Sequence, residues 1–552
     1  MENKRLKLPI GIQTFETIRK EGYVYIDKTK YLVDLIDKGK IYFLARPRRF
    51  GKSLTISTFD AIFSGKKELF KGLYAEAFLN RPDFKPSPVI RLDLSKVDTD
   101  SIEGLKASIK HQTLQIAKKL GIDVQTHLSA GDILGELIIN TAIKYNQKVV
   151  ILLDEYDSPY TAFVNDTQMA NEVRNVLRSF YVQIKSNDEY IRFTFITGIS
   201  KFARFGVFST LNTPLDISLM TKYAEICGYT EDEIIRYFPD YLDETAESMK
   251  MTREELIERM RAYYNGFSFD SDAKVKLYNP YSTLTFFAEK LFLNYWMHTG
   301  RPKVIADYMK NRHLTVEQFR NYPISMDFAQ SPGDMDTASP EGFLYQCGYL
   351  TLRKGINNEL FLDYPNTEVL NSMSQLLTQN ILADDVNYAR NSLLIALRNK
   401  DTKRLVEVLN ELLASIPFDD FSRAATQSIS LSGSKMTARE WLYRSTILAF
   451  MRGCGVVVFP EIHTISGRSD LVVLHHGIYW VIEIKVAYEG EKPETKAMGA
   501  LQQIIKNKYA DPYPGAVCVG LAIDDKERQI VKQKFRVYGK QETKIVDRHT
   551  DI

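Results

Sequence analysis

The chain has 552 residues, of which 44% are hydrophobic and 26% charged, and its formal net charge is +3. That length exceeds a single core and predicts roughly two to four domains of ordinary globular composition. The near-neutral balance excludes a histone-like polycation and says nothing about a local basic groove. The four cysteines, Cys227, Cys347, Cys454 and Cys518, form no C-x-x-C pair. They argue against zinc ribbons and disulfide frameworks and read as buried thiols in a reducing compartment. The N-terminus lacks the apolar core of a signal peptide, and no segment approaches the length of a membrane span. A cytoplasmic protein without a membrane partner is expected.

Residues 8–40 predict a short strand at Tyr23–Ile26 and a helix around Tyr31–Ile36. They read equally as an N-terminal cover or as a base-contacting segment. Ile41–Ala45 is an apolar run that predicts a buried strand. A basic loop follows, and after Gly51-Lys52-Ser53 the residues Phe59, Ile62 and Phe63 recur at helical spacing. Strand, loop, Gly-Lys-Ser, helix is a phosphate-binding layout, because the N–H groups and the dipole of the helix face the anion. Lys52 would reach the terminal phosphates and the Ser53 hydroxyl would ligate Mg²⁺, with Arg48, Arg49, Phe50, Gly51 and Leu54 around the nucleotide. The usual first glycine of such a loop is replaced by Arg46. Arginine does not readily take the positive φ that glycine supplies, so the loop must be entered differently. The competing reading is a basic turn before a core helix.

A Pro-rich connection leads to a predicted strand at Val89–Leu94 and a long helical region over residues 101–146. Val149–Leu153 predicts a fully buried strand ending at Asp154-Glu155. Carboxylates at the C-terminal end of such a strand sit in the crevice where α/β sheets bind ligands. Asp154 would hold Mg²⁺ through water, and Glu155 would orient or deprotonate the attacking water. Asn171–Lys185 has helical spacing, and a further buried strand ends at Thr197-Gly198. Thr197 and Ser200 are candidate γ-phosphate sensors. Lys201 and Arg204 read either as charge stabilisers or as solvated loop charges.

Residues 286–425 are mainly helical by pattern, and nothing there carries recognisable chemistry. A helix, TAREWLYRSTILAFMRG, then precedes a strand and the segment GRSDLVVLHHGIYWVIEIKVA. His476-Gly477 forms a two-residue turn, which pairs His475 with Ile478 and sets Asp470 opposite Glu483. Opposed residues have Cβ atoms ~5 Å apart, so two like charges there are costly unless a cation lies between them. Lys485 projects from the same face as Glu483, and the Ile484 side chain points into the core. Asp, then Glu-x-Lys, on a hairpin suits metal-dependent phosphodiester cleavage. Asp470, Glu483 and the Ile484 carbonyl would hold Mg²⁺ or Mn²⁺, Lys485 would position water or neutralise charge, and Glu440 is a further candidate carboxylate. The alternative is a surface hairpin with alternating charges.

RPRRFGKS, LDEYDSPY and FITGISKFARFGVFSTLNTPLDIS, with YYNGFSF and LYNPYSTL, resemble the AAA-ATPase-like family of bacterial proteins over residues 6–285. The resemblance makes Arg46 an ordinary feature of that loop, and it implies an ATP-binding P-loop core with a helical lid. The Glu440–Tyr443 helix, Gly467-Arg468-x-Asp470, Glu483-Ile484-Lys485 and ALQQIIKNKYA resemble the PD-(D/E)XK nuclease superfamily over residues 430–540. Ser469 stands where the superfamily's proline would be. Gln503, Lys508 and Tyr509 would contact the site or the phosphate backbone, with packing an equal reading for Tyr509. From residue 431 onward 18 Lys and Arg stand against 14 Asp and Glu, so the basic excess lies near the second site.

The expected fold is α/β. A P-loop NTPase domain (1–235) leads to a helical lid and middle region (236–425) and an α/β PD-(D/E)XK nuclease-like domain (426–552). The expected function is ATP binding with slow hydrolysis, coupled to a metal-dependent nuclease acting on DNA, in a chain able to form a homo-oligomer. The alternative is a switch-type signalling or scaffold ATPase whose C-terminal domain binds nucleic acid or protein without cutting.

Overall fold

The computed structural model describes residues 5–161, 163, 166–199, 214–296, 316–325, 327–328, 339–355, 358–382, 386–415, 437–460, 463–464 and 467–538. The chain divides into two compact units. One is Met1–Gly300 with Phe319–Val369, and the other is Arg301–Gln318 with Leu370–Ile552.

The first unit is built on five parallel strands, β1 (Ile41–Ala45), β2 (Val89–Asp93), β3 (Val149–Asp154), β4 (Ile191–Gly198) and β5 (Leu215–Asp216), in the order β2-β3-β4-β1-β5. Every residue of β3 is buried. Its unbroken apolar run is what a parallel strand covered on both faces requires. The helical stretch over 101–146 is two helices, Ile102–Leu120 and Ala130–Tyr145. Gly121 stops the first in the left-handed conformation, and the Ser129 hydroxyl caps the second by accepting the Asp132 N–H. Thr167–Ser186 is helical, capped by the Asp166 carboxylate. Tyr23–Ile26 is not a strand: it makes a single bridge, Lys7 to Tyr23. Among the described residues its ladder partner is the short segment at Lys7, too little to propagate pairing.

Helices at Glu231–Tyr237, Pro239–Met249, Arg253–Tyr264 and Pro280–Glu289 close over a core that includes Phe238, Tyr264, Phe286 and Phe287. The middle of the chain is less uniformly helical than its pattern predicts. It holds a three-stranded antiparallel sheet in the order β6-β8-β7, with β6 at Tyr322–Ile324, β7 at Thr351–Lys354 and β8 at Leu360–Asp363. Strands of three and four residues are too short to display an alternation.

In the second unit, besides the small pair β10 (His463–Thr464) and β11 (Gly467–Arg468), a five-stranded mixed sheet runs β15-β14-β13-β12-β9. Its strands are β9 (Val457–Pro460), β12 (Leu471–His475), β13 (Ile478–Ala487), β14 (Val517–Asp524) and β15 (Gln529–Val537). β13 and β14 are parallel, and the other neighbours are antiparallel. Ile482, Ile484 and Val486 enter a core shared with helices Val386–Asn399, Thr402–Ala414 and Ala438–Gly453. Val472 and Val481 face the helix Pro493–Lys506 through Leu501 and Ile504. Among the described residues no helix is long and apolar enough to cross a membrane. The four cysteines are free; three are buried and Cys347 is half-buried.

Candidate functional site

At the first site β4 lies between β1 and β3, with Leu44 beside Thr197 and Leu153 beside Ile196. The basic loop and the acidic turn therefore leave the sheet on either side of Thr197-Gly198. Arg46 does not need positive φ. The left-handed residues of the loop are Arg49 (φ 64) and Gly51 (φ 98), and Gly51 opens the helix Lys52–Phe63. Arg46 is buried and turned away from the loop. Its guanidinium donates to the carbonyls of Ala45 (2.9 Å) and Ser218 (2.8 Å) and lies 4.3 Å from the Phe269 ring centre. Phe50 is buried edge-on to Phe267 and Phe269. Arg49 is exposed beside the Tyr281 ring, and Arg48, Ser53 and Leu54 are half-buried. The Lys52 ammonium donates to the carbonyls of Arg46 (3.0 Å) and Pro47 (3.1 Å).

Across β4, Asp154 is 2% exposed and accepts the Thr197 hydroxyl at 2.8 Å. Thr197 is thus committed to orienting Asp154. Glu155 takes φ 52, a conformation carbon side chains adopt only when the surroundings enforce it. The Tyr156 N–H to Thr197 carbonyl bond (3.0 Å) and the Ile199 N–H to Asp157 carboxylate bond (3.1 Å) do the enforcing. Gly198 permits it, since a Cβ there would lie 2.4 Å from the Tyr156 ring. Burial pushes the Glu155 carboxyl up, the Lys52 charge pulls it back, Asp157 and Asp154 push it further up, and Arg48 pulls it down. Acidic turn and basic loop are therefore within electrostatic reach. A helix N-terminus, a lysine and an acid pair so placed fit a Mg²⁺-bound nucleoside triphosphate. Ser200, Lys201 and Arg204 lie outside the described residues.

At the second site the turn residues His476 (φ 47) and Gly477 (φ 76) are both left-handed, as a two-residue hairpin turn of this kind demands. His475 pairs with Ile478 and Leu471 with Ile482, so Asp470 falls opposite Glu483. The acids interlock rather than splay apart. The Asp470 N–H donates to Glu483 Oε2 (3.2 Å) and the Ile484 N–H donates to Asp470 Oδ2 (2.8 Å). The N–H and C=O of one strand residue point to the same side, so the Ile484 carbonyl faces the acids. Lys485 Nζ lies 3.5 Å from Glu483 Oε1, and Gln503 Nε2 donates to the same oxygen.

Burial raises the Glu483 carboxyl to about 8, and the Asp470 charge adds to the rise against Lys485. Burial also raises Glu440, which feels Lys485, Asp470 and Arg444. Burial opposes the Lys485 charge, but Glu483, Asp470 and Glu440 hold its pKa above the ordinary value. Among the described residues no three His, Cys, Asp or Glu side chains stand together as a ready metal cluster. The fit is of another kind: two opposed, buried carboxylates and a backbone carbonyl make an all-oxygen set of the sort Mg²⁺ or Mn²⁺ takes, with Lys485 and Arg444 as the neighbouring cations. Tyr509 is buried in the core of its helix face and Lys508 stands in the turn after it, so Tyr509 packs. Arg444, one helical turn beyond Glu440, lies 3.5 Å from Asp470 Oδ1. The sequence reading missed it, although the i, i+4 spacing from Glu440 was there to be seen.

A P-loop sheet with its acidic turn, followed by a mixed sheet carrying Asp, Glu-x-Lys and a helical Gln, defines an AAA-ATPase-like protein with a PD-(D/E)XK domain. The family of predicted AAA-ATPases matches residues 9–208, and the PD-(D/E)XK nuclease superfamily matches residues 438–533. The chain belongs to this family of two-domain proteins. It is 33% identical over 517 residues to a protein of Azotobacter chroococcum mcd 1 described as an uncharacterized protein in the vnfD 5′ region, covering 92% of this chain and 94% of that one. A solved structure, that of the Aeropyrum pernix ORC2 protein in its ADPNP–ADP complexes, matches with 12% identity over 65% of this chain and 98% of that chain, at a TM-score of 0.26.

Proposed function

We propose that the protein binds ATP at the loop Arg48–Leu54, hydrolyses it slowly, and cleaves DNA at a Mg²⁺- or Mn²⁺-dependent site built on Asp470, Glu483 and Lys485. The observation that carries the nuclease half is the opposed, interlocked acid pair, in which burial and the Asp470 charge raise Glu483 to about 8. A bound divalent ion supplies charge neutralisation and an acidified water at that place. The chain's own groups do the rest. Asp470 and Glu483 would hold the ion with the Ile484 carbonyl, Gln503 fixes the Glu483 carboxylate, and Lys485 would meet the scissile phosphate with its ammonium. Glu440, which feels the charges of Lys485 and Asp470, is the further candidate carboxylate. In the first unit Ser53, and Asp154 through water, would hold Mg²⁺, Lys52 would leave its loop carbonyls for the phosphates, and Glu155 would orient or deprotonate the attacking water. The protein works in the cytoplasm, can self-associate, and uses its middle helices, roughly residues 236–425, to join ATP state to a nuclease module beginning near residue 426.

Plasmid DNA incubated with the full chain, Mg²⁺ or Mn²⁺, and with or without ATP tests this directly. Nicking that vanishes in Lys485→Ala is expected; no nicking in any condition defeats the nuclease half. A second reading is a switch that binds ATP with little turnover and whose C-terminal domain binds without cutting. It is favoured by Lys52 being satisfied by two carbonyls of its own loop. Tight ATP binding with no phosphate release and no cleavage supports it.

A further inference from the structure

The phosphate loop is gripped from outside by residues far along the chain. Trp296 donates its indole N–H to the Arg48 carbonyl at 3.1 Å. Its backbone N–H donates to Glu368 Oε1 at 2.8 Å, and the Ser282 hydroxyl donates to the same oxygen at 2.9 Å. Glu368 is wholly buried. The indole packs against Tyr349 with ring centres 5.0 Å apart, and Gly348 comes so close to the loop that a Cβ there would lie 2.5 Å from the Pro47 ring.

The direction of one peptide follows from this. A loop that turns N–H groups inward must turn carbonyls outward, and a buried carbonyl needs a donor. The 48–49 peptide is planar and trans, so with its carbonyl held by Trp296 its N–H, that of Arg49, points the opposite way. Arg49 itself is the left-handed residue at which the loop turns.

We propose that Trp296 is a positioning residue for the nucleotide: it holds the Arg48 carbonyl outward, aims the Arg49 N–H at the phosphates, and is itself held by Glu368. This rests on the nucleotide reading given above.

The test uses full-length chain and mant-ATP with Mg²⁺, followed by fluorescence titration, with melting by circular dichroism alongside. Trp296→Phe keeps an aromatic ring and deletes the N–H; Trp296→His restores a ring N–H. The expected result is about a tenfold loss of affinity in Trp296→Phe, the worth of one hydrogen bond, with only a small fall in melting temperature, since the same bond is made without nucleotide. Part of the loss should be recovered in Trp296→His. Wild-type affinity in Trp296→Phe overturns the proposal, as does a loss matched by a lower melting temperature and not recovered by histidine, which is packing alone. A wild-type chain that binds no mant-ATP overturns this and the nucleotide reading together, whereas binding by wild type with an indifferent variant overturns this alone.

Discussion

Arg46 occupies the place where such loops usually carry glycine, and its side chain has been turned to structural use. Besides Ala45 and Ser218 it reaches the carbonyls of Tyr223 (3.3 Å) and Ala224 (3.4 Å), and burial lowers its pKa to about 10, still well above neutrality. Arg46→Gly, which restores the common motif, is therefore expected to destabilise by about 2–4 kcal/mol and to gain no nucleotide affinity. Urea melts and mant-ATP titration read both quantities, and a variant as stable as wild type would refute the assignment. Glu368 gives a pH signature. Burial raises its carboxyl from 4.5 to about 8 against the Trp296 N–H and Ser282 hydroxyl, and the hydroxyls of Tyr264 and Tyr295 also feel its charge. Folding takes up a proton between those two values. The stability tied to this group is whole below 4.5 and is lost as pH rises through about 8. Glu368→Gln should match wild type to within about 1 kcal/mol near pH 5 and exceed it by roughly 4 kcal/mol near pH 8–9. Parallel stability curves would contradict the buried, protonated state.

Element packing decides whether the second site is assembled. Gly520 lies beside Glu483 in the β13–β14 register. A Cβ on Gly520 would sit 2.4 Å from the Ala497 carbonyl oxygen and 2.5 Å from the Leu501 nitrogen. The helix Pro493–Lys506 thus rests directly on the strand, and that close approach brings Gln503 to Glu483. Gly520→Val is expected to lift the helix, cost about 2–4 kcal/mol and lower cleavage together with metal affinity. Gln503→Ala should lower cleavage with little change in melting. If Gly520→Val melts and cleaves like wild type, the helix does not support the site. The same steric logic holds at Gly198, where the approach of Tyr156 sets the acidic turn.

At the scale of the whole molecule, the two candidate sites lie in different compact units, so the proposed activities can be separated genetically. Lys485→Ala should reduce plasmid cleavage at least about a hundredfold and leave mant-ATP affinity unchanged, as expected for loss of a charge that acts on the transition state. Lys52→Ala should abolish mant-ATP binding and remove any effect of ATP on cleavage. Cleavage that responds to ATP identically in wild type and Lys52→Ala would show that the first site does not govern the second.

Local rules made much of this readable in the chain itself. The apolar run of β3, the Gly-Lys-Ser start of a helix and the two-residue turn that opposes Asp470 to Glu483 each depend on a few neighbouring residues, where periodicity and turn chemistry act. The tertiary structure alone decided the rest: β4 inserted between loop and acidic turn, Arg46 spent on carbonyls at 218–224, Gln503 and Arg444 brought to the acids, and Trp296 on the phosphate loop. Those contacts join residues up to 248 positions apart. They are set by which surfaces bury one another, a property of the folded whole that no short window of sequence contains.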